Sequence, residues 1–364
     1  MKRLSTVVAL FALALTMSGP TAAQNNPAQS GNLSIYWIDV EGGASTLFVS
    51  PTGESLLFDT GYPDNDRDAK RILAAAQKAG LKQIDHVVIS HWHGDHVGGL
   101  PGLAKLIPIG KFYDHGDGVE QADQQRRDSY RAIAGAKRTI VKAGDTIPLG
   151  GVQVRVVVSE GPVIANPING GGPNPLCTNT PQMTPAAPEN IRMVGLAINY
   201  GNFKMATLGD LDWSRELELV CPINKLGTVN VYTINRHGGL DDSGSPALLG
   251  AIKPQVVVIN NGPRKGLGQS DDRVKPVNAA QATPYERNSY LRLAKLPGIE
   301  GIWQEHLSMI DSDPAHNTSR DMIANLEDRD VAHAGSWIMA SVGRDGKFTI
   351  TNSRTGFSKT YTAR

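Results

Sequence analysis

The residues best suited to chemistry lie in the stretch SHWHGDHVGG, residues 90–99, which holds three histidines and one aspartate within six positions. Neutral imidazole and carboxylate groups suit a borderline divalent cation such as zinc. Alternate side chains of an extended loop point the same way, so His91 and His93 can share one ion. The chain must bend at the glycines that follow, which turns Asp95 and His96 toward a second ion. The alternative is a surface run of histidines without metal, which this spacing after a buried strand disfavours.

Four ligands cannot complete two tetrahedral sites, so further ligands must come from other strand ends. Asp210 follows a predicted strand, and a carboxylate can bridge two ions with its two oxygens. His237 follows the next buried strand in the sequence NRHGG, residues 235–239. Each residue alone could be an ordinary turn aspartate or loop histidine. Together with the first motif, both are predicted metal ligands.

Alternating strands and helices must position these side chains. Alternation of apolar residues and turn signals predict an opening antiparallel meander at 33–40, 46–50 and 55–58. A helix at 66–80 and a buried strand at 84–89 then lead into the first motif. A second series repeats this organisation; its predicted elements are a hairpin of 191–200 with 203–208, strands at 229–234, 255–259 and 301–305, a helix at about 280–296, and a terminal hairpin of 336–342 with 347–351.

Two such halves indicate an α/β protein in which two mixed sheets pack face to face with helices outside. No linker divides the chain, so residues 32–364 are predicted to form a single domain. Residues 161–190 are rich in Pro, Gly and Asn and are predicted to form a long surface loop.

Residues 1–23 have a basic start, a short apolar run and small residues ending in Ala23, which is typical of a cleaved secretory signal peptide. The alternative is an uncleaved membrane anchor, for which the apolar run is short. We therefore expect an exported protein, in the periplasm or outside the cell, with no stable membrane anchor. In that setting the two cysteines, Cys177 and Cys221, are predicted to form a disulfide, although two separate thiols or a cysteine metal ligand are alternatives.

The charge pattern indicates which kinds of binding partner are favoured. The chain has 36 basic and 35 acidic residues, without a block of like charge. Long nucleic acid and anionic membranes are therefore not favoured as partners, and a small-molecule substrate is expected. The sequence does not determine the oligomeric state. Arg264 and Lys265 could meet an anionic substrate, or they could simply be solvated on the surface.

The sequence resembles the metallo-β-lactamase superfamily of hydrolases. The superfamily signature H-x-H-x-D-H is complete at residues 91–96, and LFDTG at 57–61 matches a second motif. The sequence is most similar to exported ComEC-like hydrolases, through DVEGG at 39–43, His237-Gly238, and the tail TNSRTGFSKTY at 351–361. The resemblance implies the αββα sandwich of this superfamily.

The resemblance also implies a role for each candidate residue. Asp59 would lie behind the metal ligands and orient one of their histidines by a hydrogen bond. The cofactor would be Zn²⁺, with two ions per chain, although Mn or Fe could use the same ligands. The implied ligands are His91 and His93 for the first ion, Asp95, His96 and His237 for the second, and Asp210 between them.

The sequence departs from the superfamily pattern at one ligand of the first ion. The superfamily usually supplies another histidine after a strand between the first motif and the bridging aspartate. Here the matching strand end reads VVSEG, residues 157–161, without histidine. His115 follows a different strand end and could complete the first site, or it could be a hydrogen-bonded loop residue.

The expected activity is hydrolysis by a metal-bound hydroxide, with Asp95, His91 and His93 as the catalytic residues. Asp95 would help to position the attacking water and move its proton. The predicted substrate is a phosphodiester or a related small molecule. The alternatives are an ester, lactone or β-lactam hydrolase, and a non-catalytic metal- or ligand-binding protein on the same scaffold.

Overall fold

The computed structural model describes residues 31–185, 187–278, 285–328 and 335–364. The predicted signal peptide at residues 1–23 lies outside this part of the chain. The strands within it, in chain order, are β1 Leu33–Ile38, β2 Thr46–Val49, β3 Ser55–Phe58, β4 Ile84–Val88, β5 Ile109–Asp114, β6 Arg138–Ile140, β7 Thr146–Ile147, β8 Gln153–Val158, β9 Gly195–Tyr200, β10 Phe203–Thr207, β11 Val231–Thr233, β12 Val256–Ile259, β13 Gly301–His306, β14 Ile323–Asn325, β15 Trp337–Val342, β16 Lys347–Asn352 and β17 Ser358–Thr362.

Helices join many of these strands. The α-helices of the described residues are α1 Arg67–Lys78, α2 Gly94–Val97, α3 Leu100–Leu106, α4 Gln124–Ala134, α5 Trp213–Val220, α6 Pro246–Ile252 and α7 Ser289–Ala294.

The strands form two mixed sheets. The first has the order β17-β16-β15-β1-β2-β3-β4-β5-β6, and the second has the order β14-β13-β12-β11-β10-β9-β8-β7. In the first sheet β3 to β6 are parallel, and in the second β10 to β14 are parallel. The carboxyl ends of parallel strands are where α/β proteins place their functional loops.

Three apolar clusters give the layer order. One cluster lies between the sheets and includes Trp37 and Phe58 of the first sheet and Val156 and Val258 of the second. The other two pack helices against the outer sheet faces, α1 and α3 on one side and α5 and α6 on the other. This is an αββα sandwich, which confirms the predicted fold class.

The predicted elements and the structure differ mainly at the ends. The helix predicted at 280–296 begins at Ser289, because the side chain of Asn288 accepts a hydrogen bond from Leu291 N and caps it; residues 279–284 lie outside the described part of the chain. The terminal hairpin is confirmed as β15 and β16. The tail adds a third strand, β17, and β15 pairs antiparallel with β1.

The predicted disulfide between Cys177 and Cys221 is present and spans 44 positions. It ties the long loop to the end of α5. No helix among the described residues is both long and apolar enough to cross a bilayer.

Removing this disulfide should destabilise the protein strongly. Closing a loop of this length restricts the unfolded chain, so we expect the double variant Cys177→Ala/Cys221→Ala to lose about 4 kcal/mol of unfolding free energy. Urea denaturation measures the loss. Reductant should lower the stability of the wild type equally and leave the double variant unchanged; an equal response of both proteins would contradict the prediction.

Candidate metal centre

The predicted site residues come from loops that follow parallel strands in both sheets. Asp59 follows β3, and the first motif follows β4. Asp210 follows β10, and His237 follows β11. The two sheets therefore deliver their loops to one edge of the sandwich.

The first motif leaves β4 as an extended segment and then enters the short helix α2, which carries Asp95 and His96. The following glycines allow close packing on the 59–63 loop. A Cβ at Gly99 would lie 2.0 Å from Thr60 O, so a larger residue could not occupy this position. Hydrogen bonds from Thr60 N to His96 O and from Gly99 N to Gly61 O fix this loop against the motif.

Four buried side chains converge at one point: Asp95, His96, Asp210 and His237. His96 Nε2 lies 3.4 Å from Asp95 Oδ2 and 3.3 Å from Asp210 Oδ1. His237 Nε2 lies 3.3 and 3.2 Å from the same two oxygens. A tetrahedron with metal–ligand bonds of about 2.0–2.1 Å has edges of about 3.3–3.4 Å. Four of the six edges of this group therefore match a tetrahedral zinc site, and all four ligand atoms lie within 4.8 Å of one another.

The protonation pattern of the two histidines also fits a cation. His96 Nδ1 donates to Asp59 Oδ2 at 2.8 Å, and His237 Nδ1 donates to Asn260 O at 3.2 Å. In each neutral ring the proton is then on Nδ1, so Nε2 presents a lone pair. These nitrogens and Asp210 Oδ1 are buried without a hydrogen-bond partner. Buried lone pairs facing carboxylate oxygens need a shared cation or a proton between them.

Electrostatics agrees with this arrangement. Burial alone would lower the pKa of His96, but the carboxylates of Asp210, Asp95 and Asp59 raise this pKa well above its usual value. Burial alone would raise the pKa of Asp210, but His237 and His96 hold it well below the usual value. The site is thus a concentrated negative charge that attracts a positive ion.

His91 and His93 form the second pair of converging groups. Ser90 Oγ donates to Asp59 Oδ2 at 2.7 Å, so it accepts from His91 Nδ1 at 2.9 Å. His93 Nε2 donates to Glu120 Oε2 at 3.3 Å. The two facing nitrogens, His91 Nε2 and His93 Nδ1, lie 3.0 Å apart, at hydrogen-bond distance from each other. Burial first, and then the neighbouring His96 and His93, lower the pKa of His91 well below its usual value, which keeps the neutral form that binds metals.

Glu120 is a site residue that sequence reasoning missed. One of its oxygens accepts from Glu189 N at 3.2 Å, and the other contacts His93 Nε2. Asp123 Oδ2 lies 4.0 Å from the same nitrogen. A carboxylate behind a metal-binding histidine fixes its tautomer and orientation. No local sequence pattern marks Glu120, because its loop meets His93 only in the folded chain.

His115 lies apart from both groups. Its Nε2 is 2.9 Å from Glu189 Oε1, and its Nδ1 is 3.5 Å from Glu160 Oε2. Within the described residues, the groups of three or more converging ligand atoms do not include it. Glu189 also accepts hydrogen bonds from Trp92 N and Val119 N. The buried pair of His115 and Glu189 therefore connects the loop that follows β4 to the loop that follows β5. The structure therefore places His115 within ion-pair distance of two glutamates and outside the converging ligand groups of the described residues.

Asp59 makes the contacts expected of a residue that orients ligands. Its carboxylate accepts from Ser90 N at 2.6 Å, from Ser90 Oγ, and from His96 Nδ1, and it is fully buried. Its backbone has a positive φ of 64°, which an aspartate tolerates better than most residues.

We predict that Asp59→Asn lowers metal affinity by about 10- to 100-fold with little change in fold, because an amide cannot accept from all three donors. Isothermal titration calorimetry with Zn²⁺ measures the change. Asp85→Asn is a control, since Asp85 accepts from Ser55 at the far end of β3. Equal losses in the two variants would contradict the role of Asp59.

The turn that carries His237 is held by a buried glutamate. Arg236 and His237 both have positive φ, 47° and 56°. Glu216 of α5 accepts from Asn235 Nδ2 at 2.8 Å and from Gly244 N and Ser245 N at 2.7 Å. These bonds close the 235–245 loop around α5 and keep His237 at the centre.

A cavity of about 450 Å³ opens onto these groups. Its wall is strongly polar and includes both carboxylates and cations. Lys265, which follows β12, contacts the carboxylate of Asp95 from this wall. Arg264 instead pairs with Asp328 on the surface. A small polar molecule thus has direct access to Asp95, Asp210 and His237.

One family model matches the part of the chain that carries the first motif. Residues 38–177, which include Asp59 and the whole first motif, match the family model described as the metallo-beta-lactamase superfamily. The fold is the metallo-β-lactamase fold, and the family match supports a place in that superfamily. Asp210 and His237 lie beyond the matched residues.

Individual relatives match shorter parts of the chain. An atrochrysone carboxyl ACP thioesterase from Emericella nidulans is 37% identical over 81 residues, 22% of this chain and 26% of the relative. A ribonuclease Z from Clostridium tetani is 36% identical over 63 residues, 17% of this chain and 18% of the relative. Among solved structures, the metallo-beta-lactamase fold protein YhfI from Bacillus subtilis is 12% identical, covers 74% of this chain and 96% of its own, and has a TM-score of 0.43. The match spans about a quarter or less of each of these two curated relatives.

Proposed function

We propose that this protein is an exported metal-dependent hydrolase of a small phosphodiester or related substrate. The observation that carries the proposal is the tetrahedral convergence of Asp95, His96, Asp210 and His237 at the floor of an open cavity. A structural metal site is usually closed, whereas a catalytic one is open to substrate. The fit of the donor atoms to a divalent ion is good, and their nitrogen and oxygen chemistry suits zinc, manganese or iron.

The chain's own residues would prepare the reaction. A bound divalent cation would polarise the scissile group and acidify a water molecule. Asp95 lines the cavity and is 8% exposed, so it can hold and orient a water and accept its proton. His91 and His93, together with Asp210, would hold the first ion.

The first ion has a less complete set of protein ligands than the second. The position would be supported by His91, His93 and Asp210, with no ligand from His115. We therefore propose one tightly bound ion at the Asp95, His96, Asp210 and His237 group and a weaker ion beside it.

The choice of substrate rests on the centre and on the resemblance to ComEC-like hydrolases. A bridging carboxylate suits the in-line displacement of a phosphodiester by two ions. Two of the relatives are a thioesterase and a ribonuclease, which supports both an acyl and a phosphodiester substrate as candidates. An ester or thioester hydrolase is therefore the second candidate function.

Export is part of the proposal. A disulfide is typical of proteins that fold in an oxidising compartment, and the Cys177–Cys221 bond fits that setting. Fractionation of cells that express the full chain, followed by N-terminal sequencing of the mature protein, tests export and cleavage after Ala23.

A substrate screen tests the activity. Metal-loaded protein is assayed with bis-p-nitrophenyl phosphate, p-nitrophenyl acetate, a lactone and nitrocefin, before and after treatment with a chelator. We expect turnover of the phosphodiester that is lost with the metal and restored by Zn²⁺ or Mn²⁺. Turnover of nitrocefin alone would overturn the substrate class. Full metal occupancy without any turnover would support the non-catalytic metal-binding alternative.

A further inference from the structure

We propose that Lys265, held in place by Tyr62, forms an anion-binding subsite beside the metal centre, so that the substrate carries an oxyanion within reach of the metal. The inference deepens the proposed function and rests on it for the presence of the metal. It assigns a binding role to Lys265, which is outside the predicted ligands, and a positioning role to Tyr62.

Lys265 is placed at the cavity wall. Its Nζ contacts Asp95 and donates to Tyr62 Oη at 3.0 Å, and it lies 5.3 Å from the centroid of the Tyr62 ring. The Lys265 side chain is 31% exposed, so the ammonium faces both the metal ligand and the open cavity. Tyr62 accepts this hydrogen bond and so helps to hold the ammonium at the cavity wall.

The other cations that line the cavity have different partners. Arg236 pairs with Asp242 and Asp271, and Arg273 pairs with Asp271. None of these carboxylates is a predicted metal ligand.

Lys265 differs from them because its carboxylate partner in the described structure is Asp95, a predicted ligand. When an oxygen of Asp95 coordinates a metal ion, the ion neutralises much of the negative charge of the carboxylate. The ammonium of Lys265 is then less neutralised by carboxylates than the other cations that line the cavity. It also lies where a substrate would meet the metal.

The charge of the whole cavity predicts that anion binding depends on metal. Six carboxylates face three cations in its wall, so an anion is repelled when no metal is bound. Each divalent ion adds two positive charges at the floor. The residues counted are Asp95, Glu120, Asp210, Asp242, Asp271 and Asp272 against Arg236, Lys265 and Arg273.

Calorimetric titration with inorganic phosphate tests the subsite directly. It is done with metal-loaded and chelator-treated protein, for the wild type, Lys265→Met, Lys265→Arg and Arg273→Met, with metal content measured for each sample. We expect Lys265→Met to weaken phosphate binding at least about tenfold with unchanged metal content, because it removes a charged hydrogen bond. Lys265→Arg should keep part of the affinity, and Arg273→Met, the matched control, should stay within about twofold of the wild type.

Three results would overturn the subsite: phosphate binding that survives in Lys265→Met, an equal loss in Arg273→Met, or equal binding to the metal-free wild type. If Lys265→Met binds less metal, the comparison is repeated at saturating metal, where Lys265→Arg must still bind phosphate more tightly than Lys265→Met. A wild type that binds phosphate through Lys265 but hydrolyses no substrate would keep the subsite and contradict the hydrolase proposal.

The same variants then separate substrates. Lys265→Met should raise the KM for the anionic bis-p-nitrophenyl phosphate about tenfold and leave the KM for neutral p-nitrophenyl acetate within about twofold. An equal rise for both substrates would indicate a structural effect and contradict the subsite.

Discussion

Asp210→Ala is expected to lower turnover by on the order of 10³-fold, because it removes several kcal/mol of metal-dependent stabilisation from the centre. Asp210 Oδ1 forms two edges of the tetrahedral group, with His96 Nε2 and His237 Nε2, at 3.3 and 3.2 Å. Its loss leaves these buried nitrogens without the carboxylate that completes the site. Steady-state kinetics on the best substrate of the screen, with metal analysis of the same samples, measures the effect.

The control for this variant is Asp272→Ala, which removes another carboxylate from the wall of the same cavity. Asp272 belongs to none of the converging ligand groups found among the described residues. Its loss should change turnover by less than about threefold, as for most surface charges. If both variants keep wild-type turnover, the two-metal mechanism is wrong.

Metal removal should lower the stability of the folded protein about as strongly as loss of the disulfide. An ion that binds only the folded protein stabilises it by about 4 kcal/mol when the free metal concentration is about 1,000 times the Kd. We expect a chelator to abolish this stabilisation in thermal or urea unfolding, and most of it to return with the first equivalent of Zn²⁺. The complete group of Asp95, His96, Asp210 and His237 accounts for that first equivalent.

Two variants sharpen the stability experiment. His237→Ala should unfold at the same denaturant concentration with and without chelator, because it breaks the complete group. His115→Ala should keep the metal-dependent difference, because His115 contacts Glu189 and Glu160 instead. A loss of the first metal equivalent in His115→Ala would restore His115 as a ligand and show that its contacts rearrange.

The sequence predicted the parts of the molecule that depend on local patterns. The first motif is contiguous, so its ligand spacing is visible without the fold. Alternating strand and helix signals predicted both sheets, because buried parallel strands are short apolar runs bounded by turns. Asp210 and His237 were found because each follows such a strand, and strand ends converge in this type of fold.

The supporting residues could not be predicted in the same way. Glu120 reaches His93 from 27 positions away, and Glu216 reaches Asn235 from 19 positions away, without a pattern that marks either glutamate. The pairing of His115 with Glu189 also depends on which loops meet after folding. A sequence can indicate that a histidine follows a strand, but tertiary packing determines which carboxylate contacts its imidazole ring.

The carboxylate of Asp59 gives the two halves of the centre a common anchor. Its Oδ2 accepts a hydrogen bond from His96 and, through the Ser90 hydroxyl, supports His91, so one buried group is connected to a proposed ligand of each ion. A shift of either imidazole on metal loading changes the hydrogen bonds available to the other. We expect the two proposed binding events to be thermodynamically linked, and the shape of a single metal-binding isotherm measures the sign of their coupling free energy.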